Sequence, residues 1–275
     1  MIKYKNYFEH NNCKIDFIGL GTYNLQNYLC EKSVSSALEI GYRLIDTAKI
    51  YNNEKFIGNA LSKSNIKRKD LFLTSKISIN TKNKDIESEL QKSIDDLKTD
   101  YLDLYLIHWP IFDTNLYDIL LILEDLKRKK LIKQYGVSNF NISLLKECVK
   151  NNFKIFCNQI EFHPFINQKN LLLEMEKLNI IAVAYRTLLK GNIKKNSRLY
   201  QIAKKYNRSI FQIILNWTNR KNIVSIPMSS NYKHLKENFN SFNFDIDNDD
   251  IIYLDSLHKY NIRNVKNISK YEWDE

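Results

Sequence analysis

Short apolar or β-branched runs alternate along the chain with longer stretches whose apolar positions recur every three or four residues. The short runs predict strands at Phe17–Leu20, Arg43–Thr47, Leu71–Ile77, Leu102–Ile107, Gln134–Val137, Phe156–Ile160, Ile180–Ala184 and Ile223–Ile226. The helical pattern fills the gaps at Glu31–Ile40, Asn53–Leu61, Lys84–Leu97, Leu116–Lys130, Ile142–Asn151, Gln168–Leu178 and Leu199–Tyr206. It returns at Ile210–Thr218, Lys233–Phe239 and Asp249–His258, the extra helices near the C-terminus. Strands that alternate with helices imply parallel crossover units. Such a series can close into a barrel or lie open as a doubly wound sheet. No Pro/Gly/Ser-rich linker and no shift of composition divides the chain, so the expected fold is a closed (β/α)8 TIM barrel, one domain over residues 1–275. Ahead of it, Ile2 to Phe17 holds the polar pair Asn11-Asn12 between extended runs and predicts a β-hairpin plugging the barrel's bottom.

Four polar residues stand where these strands run out. Asp46 closes Arg43-Leu44-Ile45-Asp46, and Tyr51 follows in the loop. Lys76 ends the third run and His108 the fourth. Parallel neighbouring strands would bring all four to one rim, the C-terminal end where barrels carry their chemistry. An acid, a cation, a phenol and an imidazole can together deliver a proton to a carbonyl oxygen.

Composition alters this picture little. Of 275 residues, 44% are apolar, enough for a sizeable core, and 27% are charged. The formal charge of +11 raises the question of a nucleic-acid partner, but the Lys and Asn residues are spread along the whole chain. An AT-rich coding bias produces the same excess, so no nucleic acid is expected. A basic surface still favours an anionic cofactor or substrate. Cys13, Cys30, Cys148 and Cys157 form neither a CxxC pair nor a metal-ligand spacing and read as reduced thiols. The N-terminus lacks the apolar stretch of a signal peptide, and Asp118, Glu124 and Asp125 interrupt the longest apolar window, Leu116 to Leu126. The expectation is a cytoplasmic protein with no membrane partner and no required metal.

Gly19-Leu20-Gly21-Thr22 lacks the third glycine of a dinucleotide fingerprint and alone reads as a tight turn. The run Gly41-Tyr42-Arg43-Leu44-Ile45-Asp46-Thr47-Ala48-Lys49-Ile50-Tyr51-Asn52-Asn53-Glu54 is far more specific, above all beside Thr74-Ser75-Lys76-Ile77 and Leu106-Ile107-His108-Trp109-Pro110. Together these segments resemble the aldo-keto reductase family. The resemblance continues through Gly136-Val137-Ser138-Asn139-Phe140, Asn158-Gln159-Ile160-Glu161-Phe162-His163-Pro164, Ala184-Tyr185, Ile226-Pro227 and Glu237-Asn238.

The resemblance implies NAD(P)H-dependent reduction of aldehydes or ketones to alcohols. Tyr51 would be the general acid and His108 would orient the carbonyl. A free tyrosine titrates near ~10, so Lys76 would favour the phenolate while Asp46 holds Lys76 charged. Trp109 and Tyr23 would face the substrate. The cofactor would be NADP(H), with NAD(H) possible. Tyr185 would stack on the nicotinamide, and Ser138, Asn139 and Gln159 would bond its carboxamide. Gly21, Thr22, Arg186, Leu188, Ile226, Pro227, Met228, Ser229, Ser230, His234, Glu237 and Asn238 would complete the cofactor site.

The chain also departs from the family pattern. Arg186-Thr187 stands where serine and proline are usual, and Arg186 could pair with a phosphate. Met228 and His234 occupy positions where many members carry the lysine and arginine that grip the 2′-phosphate of NADPH. Pro110 to Asn115 is a short loop, the tail after His258 is short, and Tyr23 replaces a common tryptophan, so a wide, shallow pocket is expected. Ser138, Glu161 and His163 offer no GxSxG elbow, which argues against a hydrolase. Two alternatives remain at this point: a Schiff-base aldolase using Lys76, and a regulatory protein that binds the cofactor without useful turnover.

Overall fold

The computed structural model describes residues 7–11, 13–110, 115–191, 193 and 197–274. Strands β1 (Tyr7–His10) and β2 (Cys13–Asp16) form an antiparallel hairpin. Eight further strands, β3 (Gly19–Gly21), β4 (Leu44–Asp46), β5 (Phe72–Ile77), β6 (Leu102–Ile107), β7 (Ile132–Ser138), β8 (Cys157–Glu161), β9 (Ile181–Tyr185) and β10 (Val224–Ser225), lie side by side in chain order, all parallel. The sheet nearly closes into a barrel. A parallel bridge joins Ile18 to Ser225, Ser225 N donates to Phe17 O at 2.8 Å, and Gly21 N donates to Pro227 O at 3.2 Å. Gly21 has to be glycine at this seam, because a Cβ there would lie 2.4 Å from Ile226 O.

The strands are short apolar runs because both their faces are covered. Side chains alternate with the period of two that a strand imposes. Leu44, Phe72, Leu104, Leu106, Phe156, Val183 and Val224 fill the barrel interior. Ile45, Leu73, Tyr105, Ile107, Tyr135 and Val137 face outward into a second apolar layer under the helices. The hairpin sits where it was expected. Ile15 joins the interior cluster, the His10 ring lies 5.2 Å from the Phe156 ring, and Gln134 Nε2 donates to Asn11 O at 3.2 Å. These partners lie at or near the starts of their strands, so the hairpin closes the N-terminal end. Asn12, at its turn, lies outside the described residues.

The helices are α1 (Asn27–Ile40), α2 (Glu54–Lys63), α3 (Ile86–Asp96), α4 (Leu116–Arg128), α5 (Ile142–Lys150) and α6 (Lys169–Lys177), then α7 (Ser197–Lys205), α8 (Ile210–Arg220), α9 (Tyr232–Phe239) and α10 (Asn248–Ser256). Each expected helix is present. Helix α1 begins earlier than its apolar period showed, because Tyr28 and Leu29 in its first turn are exposed. Several starts are fixed by side chains that accept orphan amides. Asn141 accepts from Leu144 N at 3.0 Å, Asn231 caps α9, and Ser209 and Gln212 make a capping box on α8. None of the helices among the described residues is long and apolar enough to cross a membrane.

Candidate active site

The parallel register carries Asp46, Lys76 and His108 to the C-terminal rim, Asp46 and Lys76 inside their strands and His108 just beyond β6. Tyr51 comes from a single 3-10 turn, Lys49–Tyr51, that ends where Asn52 adopts a left-handed backbone at φ 56°. The turn is held from beneath. Thr47 Oγ1 donates to Asn53 Oδ1 at 2.7 Å, and Asn53 Nδ2 donates to Thr22 O at 2.8 Å and Leu25 O at 3.0 Å. Buried Glu54 accepts from Ser75 Oγ at 2.6 Å and from Lys49 Nζ at 3.1 Å. Asn53 stands at the N-cap of α2, as the helical pattern expects, and its side-chain amide also ties this loop to the one after β3.

At the centre, Lys76 is fully buried. Its Nζ donates to Asp46 Oδ1 and to Thr47 O, both at 2.6 Å, and Gln159 Nε2 donates to Asp46 Oδ2 at 2.7 Å. Burial raises the Asp46 pKa and lowers that of Lys76, opposed by their mutual attraction. Lys76 Nζ lies 5.2 Å from the centroid of the Tyr51 ring, which meets the His108 ring edge-on at 5.7 Å and the Tyr23 ring at 5.1 Å. All four predicted residues therefore converge.

Their electrostatics differ in part from expectation. Burial, helped by the Lys76 charge, lowers the His108 pKa to about 3, so the imidazole is neutral. Its Nδ1 is buried without a hydrogen-bond partner among the described residues. Tyr51 behaves otherwise. Burial foremost, then the Asp46 carboxylate, pushes its pKa up rather than down, and Arg186 is the cation that opposes them. The Lys76 ammonium is itself answered by Asp46 and Thr47 O.

Beside this centre lies a polar ledge. Asn139, left-handed at φ 63°, donates to His108 O at 3.1 Å and to Ser138 Oγ at 3.0 Å, and it accepts from the Tyr185 hydroxyl at 2.5 Å. Ser138 Oγ donates to Gln159 O at 2.9 Å, and Thr22 Oγ1 to Asp46 O at 3.0 Å. The Tyr185 ring is half-buried.

Residues 18–259 match the sequence pattern described as the Aldo/keto reductase family. The chain belongs to that family. A glyoxal reductase of Bacillus subtilis (strain 168) is 38% identical over 255 residues, 91% of this chain and 91% of the relative. Methylglyoxal reductase DkgB of Yersinia pestis is 40% identical over 230 residues, 82% of this chain and 86% of the relative. A crystal structure described as a putative 2,5-diketo-D-gluconic acid reductase B superposes with a TM-score of 0.94 at 28% identity, covering 99% of this chain and 98% of that one. Membership makes the protein an oxidoreductase that reduces carbonyl compounds, in a family that generally uses nicotinamide cofactors.

In this aldo-keto reductase the later residues expected in the cofactor site lie just ahead of α9 and along it. Ser229 is buried, Met228 is 45% exposed, and Ser230 and His234 are exposed. Asn238 is buried, and Glu237 lines a cleft of about 390 Å³ with Arg208, Gln212, Lys233 and Lys236. Ile226 and Pro227 are buried along the seam, and half-buried Leu188 packs against the outer apolar layer.

Two expectations about the rim change. Arg186 Nη1 donates to Asn264 O at 2.5 Å, so its guanidinium is engaged by the C-terminal tail in this state. The short tail nevertheless supplies a wall, since the Trp273 ring lies 5.8 Å from that of Trp109. The rim is therefore less open than expected on that side. The 111–114 part of the short loop lies outside the described residues. Sequence reasoning missed Trp273 and Asn264, and it gave Glu161 no task.

Proposed function

We propose that the enzyme reduces small aldehydes and ketones to alcohols with NADP(H), accepting NAD(H) as well, and that Tyr51 is the proton donor. The observation that carries this reading is the meeting of Tyr51, neutral His108 and the buried Asp46–Lys76 pair at one rim. The names of two relatives, glyoxal reductase and methylglyoxal reductase, point to 2-oxoaldehydes as the first substrates to try.

A nicotinamide ring suits the ledge, with the Tyr185 ring as a flat apolar partner and Ser138, Asn139 and Gln159 presenting amide and hydroxyl groups at its edge. When bound, that cofactor supplies the hydride. The chain's own residues handle the proton. With its pKa raised, Tyr51 keeps its proton at neutral pH, and because a raised pKa weakens the phenol as an acid, donation to a carbonyl oxygen depends on nearby charge that offsets the phenolate as it forms. The phenolate left behind would face the Lys76 ammonium, whose position Asp46 and Thr47 O fix. His108, neutral above about pH 3, can orient the carbonyl by a hydrogen bond without competing as an acid. Lys76 Nζ, buried and bonded to two oxygens, is poorly placed to attack a carbonyl as an aldolase nucleophile.

Coenzyme oxidation measured against a panel of carbonyls, with glyoxal and methylglyoxal included, tests the activity. Tyr51→Phe keeps the ring and removes the transferable proton, so kcat should fall by about 10²-fold or more while cofactor Kd is unchanged. A variant that keeps a tenth of the wild-type kcat would remove Tyr51 from the role. Borohydride trapping of substrate on Lys76 would favour the aldolase instead.

A further inference from the structure

Glu161 ends β8, two residues beyond the Gln159 that holds Asp46, and is only 1% exposed. Its carboxylate nevertheless faces away from the four-residue centre, toward a segment of chain about a hundred positions later. Oε1 accepts from Asn264 N at 2.8 Å and from Asn264 Nδ2 at 3.1 Å, and Oε2 accepts from Val265 N at 2.9 Å. His163 Nε2 stands 3.0 Å from Oε1. Nε2 also lies 3.1 Å from Asn264 Nδ2, and Phe165 N donates to His163 Nδ1 at 3.3 Å; in the tautomer that this last bond favours, with the proton on Nε2, His163 is a further donor to Glu161. Burial raises the Glu161 pKa, but the bonds from His163 and Asn264 outweigh it and bring the pKa below the ordinary value. The carboxylate stays ionised, an acceptor for every group around it.

What it holds is the tail. Ile262 N donates to Phe165 O at 2.7 Å, and Arg186 Nη1 clasps Asn264 O from the loop after β9. Beyond this clasp the chain returns across the rim, where the Arg263 guanidinium lies 4.2 Å over the Trp273 ring and Trp273 meets Trp109. The far end is tied more lightly, by Asn141 Nδ2 to Glu272 O at 3.0 Å and Ile142 N to Asp274 Oδ2 at 2.7 Å. Glu161 is thus the buried fastening of a strap whose indole faces the residue expected to wall the substrate.

We propose that Glu161 is a positioning residue for substrate selection: by fixing Asn264 and Val265 it holds Trp273 against Trp109, and Trp273 thereby limits the size of carbonyl compound admitted. The inference rests on the carbonyl-reductase reading above. Glu161→Gln is the sharpest probe, since the amide keeps the volume but turns an NH₂ toward backbone amides that need an acceptor. Asn264→Pro deletes one of those amides from the tail side and leaves the barrel's own residues intact.

The measurement is the ratio of kcat/KM for a small aldehyde to that for a bulky aromatic one, in wild type, Glu161→Gln, Asn264→Pro, Trp273→Ala and the Glu161→Gln/Trp273→Ala double variant. Trp273→Ala should relax the ratio about tenfold or more, the scale of apolar pocket discrimination. Glu161→Gln and Asn264→Pro should relax it in the same direction, chiefly through KM for the bulky substrate, with kcat on the small one and cofactor Kd retained. If Glu161 acts through the strap, the double variant matches Trp273→Ala alone. An additive double variant, an unchanged ratio in either Trp273→Ala or Asn264→Pro, or an equal loss of kcat on both aldehydes in Glu161→Gln would overturn the proposal. Wild type that reduces neither aldehyde with either cofactor would instead defeat the parent reading. Should Glu161→Gln fail to fold, the Asn264→Pro ratio decides alone.

Discussion

His108 is the residue whose environment makes the clearest demand on the protein. Its folded pKa of about 3 lies below the unfolded value of 6.5, so the unfolded chain takes up a proton between those limits that the folded chain refuses. Stability from this source is complete above pH 6.5 and is lost as the pH falls. Between pH 7 and pH 5 the wild type should lose about 1 kcal/mol more than His108→Gln in urea unfolding, roughly half the ideal linkage because the imidazole is partly exposed. Equal losses in the two proteins would mean that the folded imidazole titrates normally. Asp46, Lys76 and His108 were legible in the sequence because each interrupts an apolar run at its end, and a strand end has a fixed place in a parallel barrel. Glu161 interrupts a run in the same way, yet its task was not legible. Its partners are backbone amides 103 and 104 positions away, and an amide carries no mark in the sequence. The tail that holds them lacks an apolar period, so nothing announced that Trp273 would return to the rim.

Among the elements, β5 and β6 are buried at every position and could be read from their apolar residues despite Thr74, Ser75, Lys76 and Asp103, whereas β10 pairs over only Val224–Ser225 and its neighbours bond to β9 and to the other side of the seam. The packing of α2 on α3 depends on something no pattern shows. A Cβ at Gly58 would lie 2.1 Å from Asp96 O and 2.9 Å from the Leu97 carbonyl carbon, both of them backbone. Helix propensity favours alanine over glycine by about 0.5–1 kcal/mol. Overpacking against an unyielding backbone costs about 1–3 kcal/mol or more. With contacts this short the steric effect should win, so Gly58→Ala is expected to lower the unfolding free energy by roughly 1–2 kcal/mol, although alanine is the better helix former. A stabilised variant would show that the two helices part easily.

At the scale of the whole molecule, the proposed cofactor site would make the choice between NADPH and NADH depend on the charges near α9. A lysine and an arginine on a 2′-phosphate would each contribute about 1.5–3 kcal/mol, and here Met228 is uncharged while an imidazole replaces the guanidinium. Weak selectivity is therefore expected, with Lys233, Lys236 and Arg208 around the neighbouring cleft leaving some preference for NADPH. Met228→Lys should raise the ratio of NADH to NADPH dissociation constants by about tenfold or more. An unchanged ratio beside a wild-type preference above about ten-thousandfold would place the phosphate on other residues. The seam carries a different consequence. Its two sides, Phe17–Gly21 and Ser225–Pro227, are the first and last parts of the barrel to leave the ribosome. Until the later one emerges, β3 offers an open sheet edge, the kind of surface that invites pairing with another chain. Closure is a contact of long sequence separation, slow to form because so much chain must be ordered first. Maturation of this barrel is thus tied to nearly complete translation, and a nascent chain stalled before Ile223 would leave its first barrel strand in need of a chaperone.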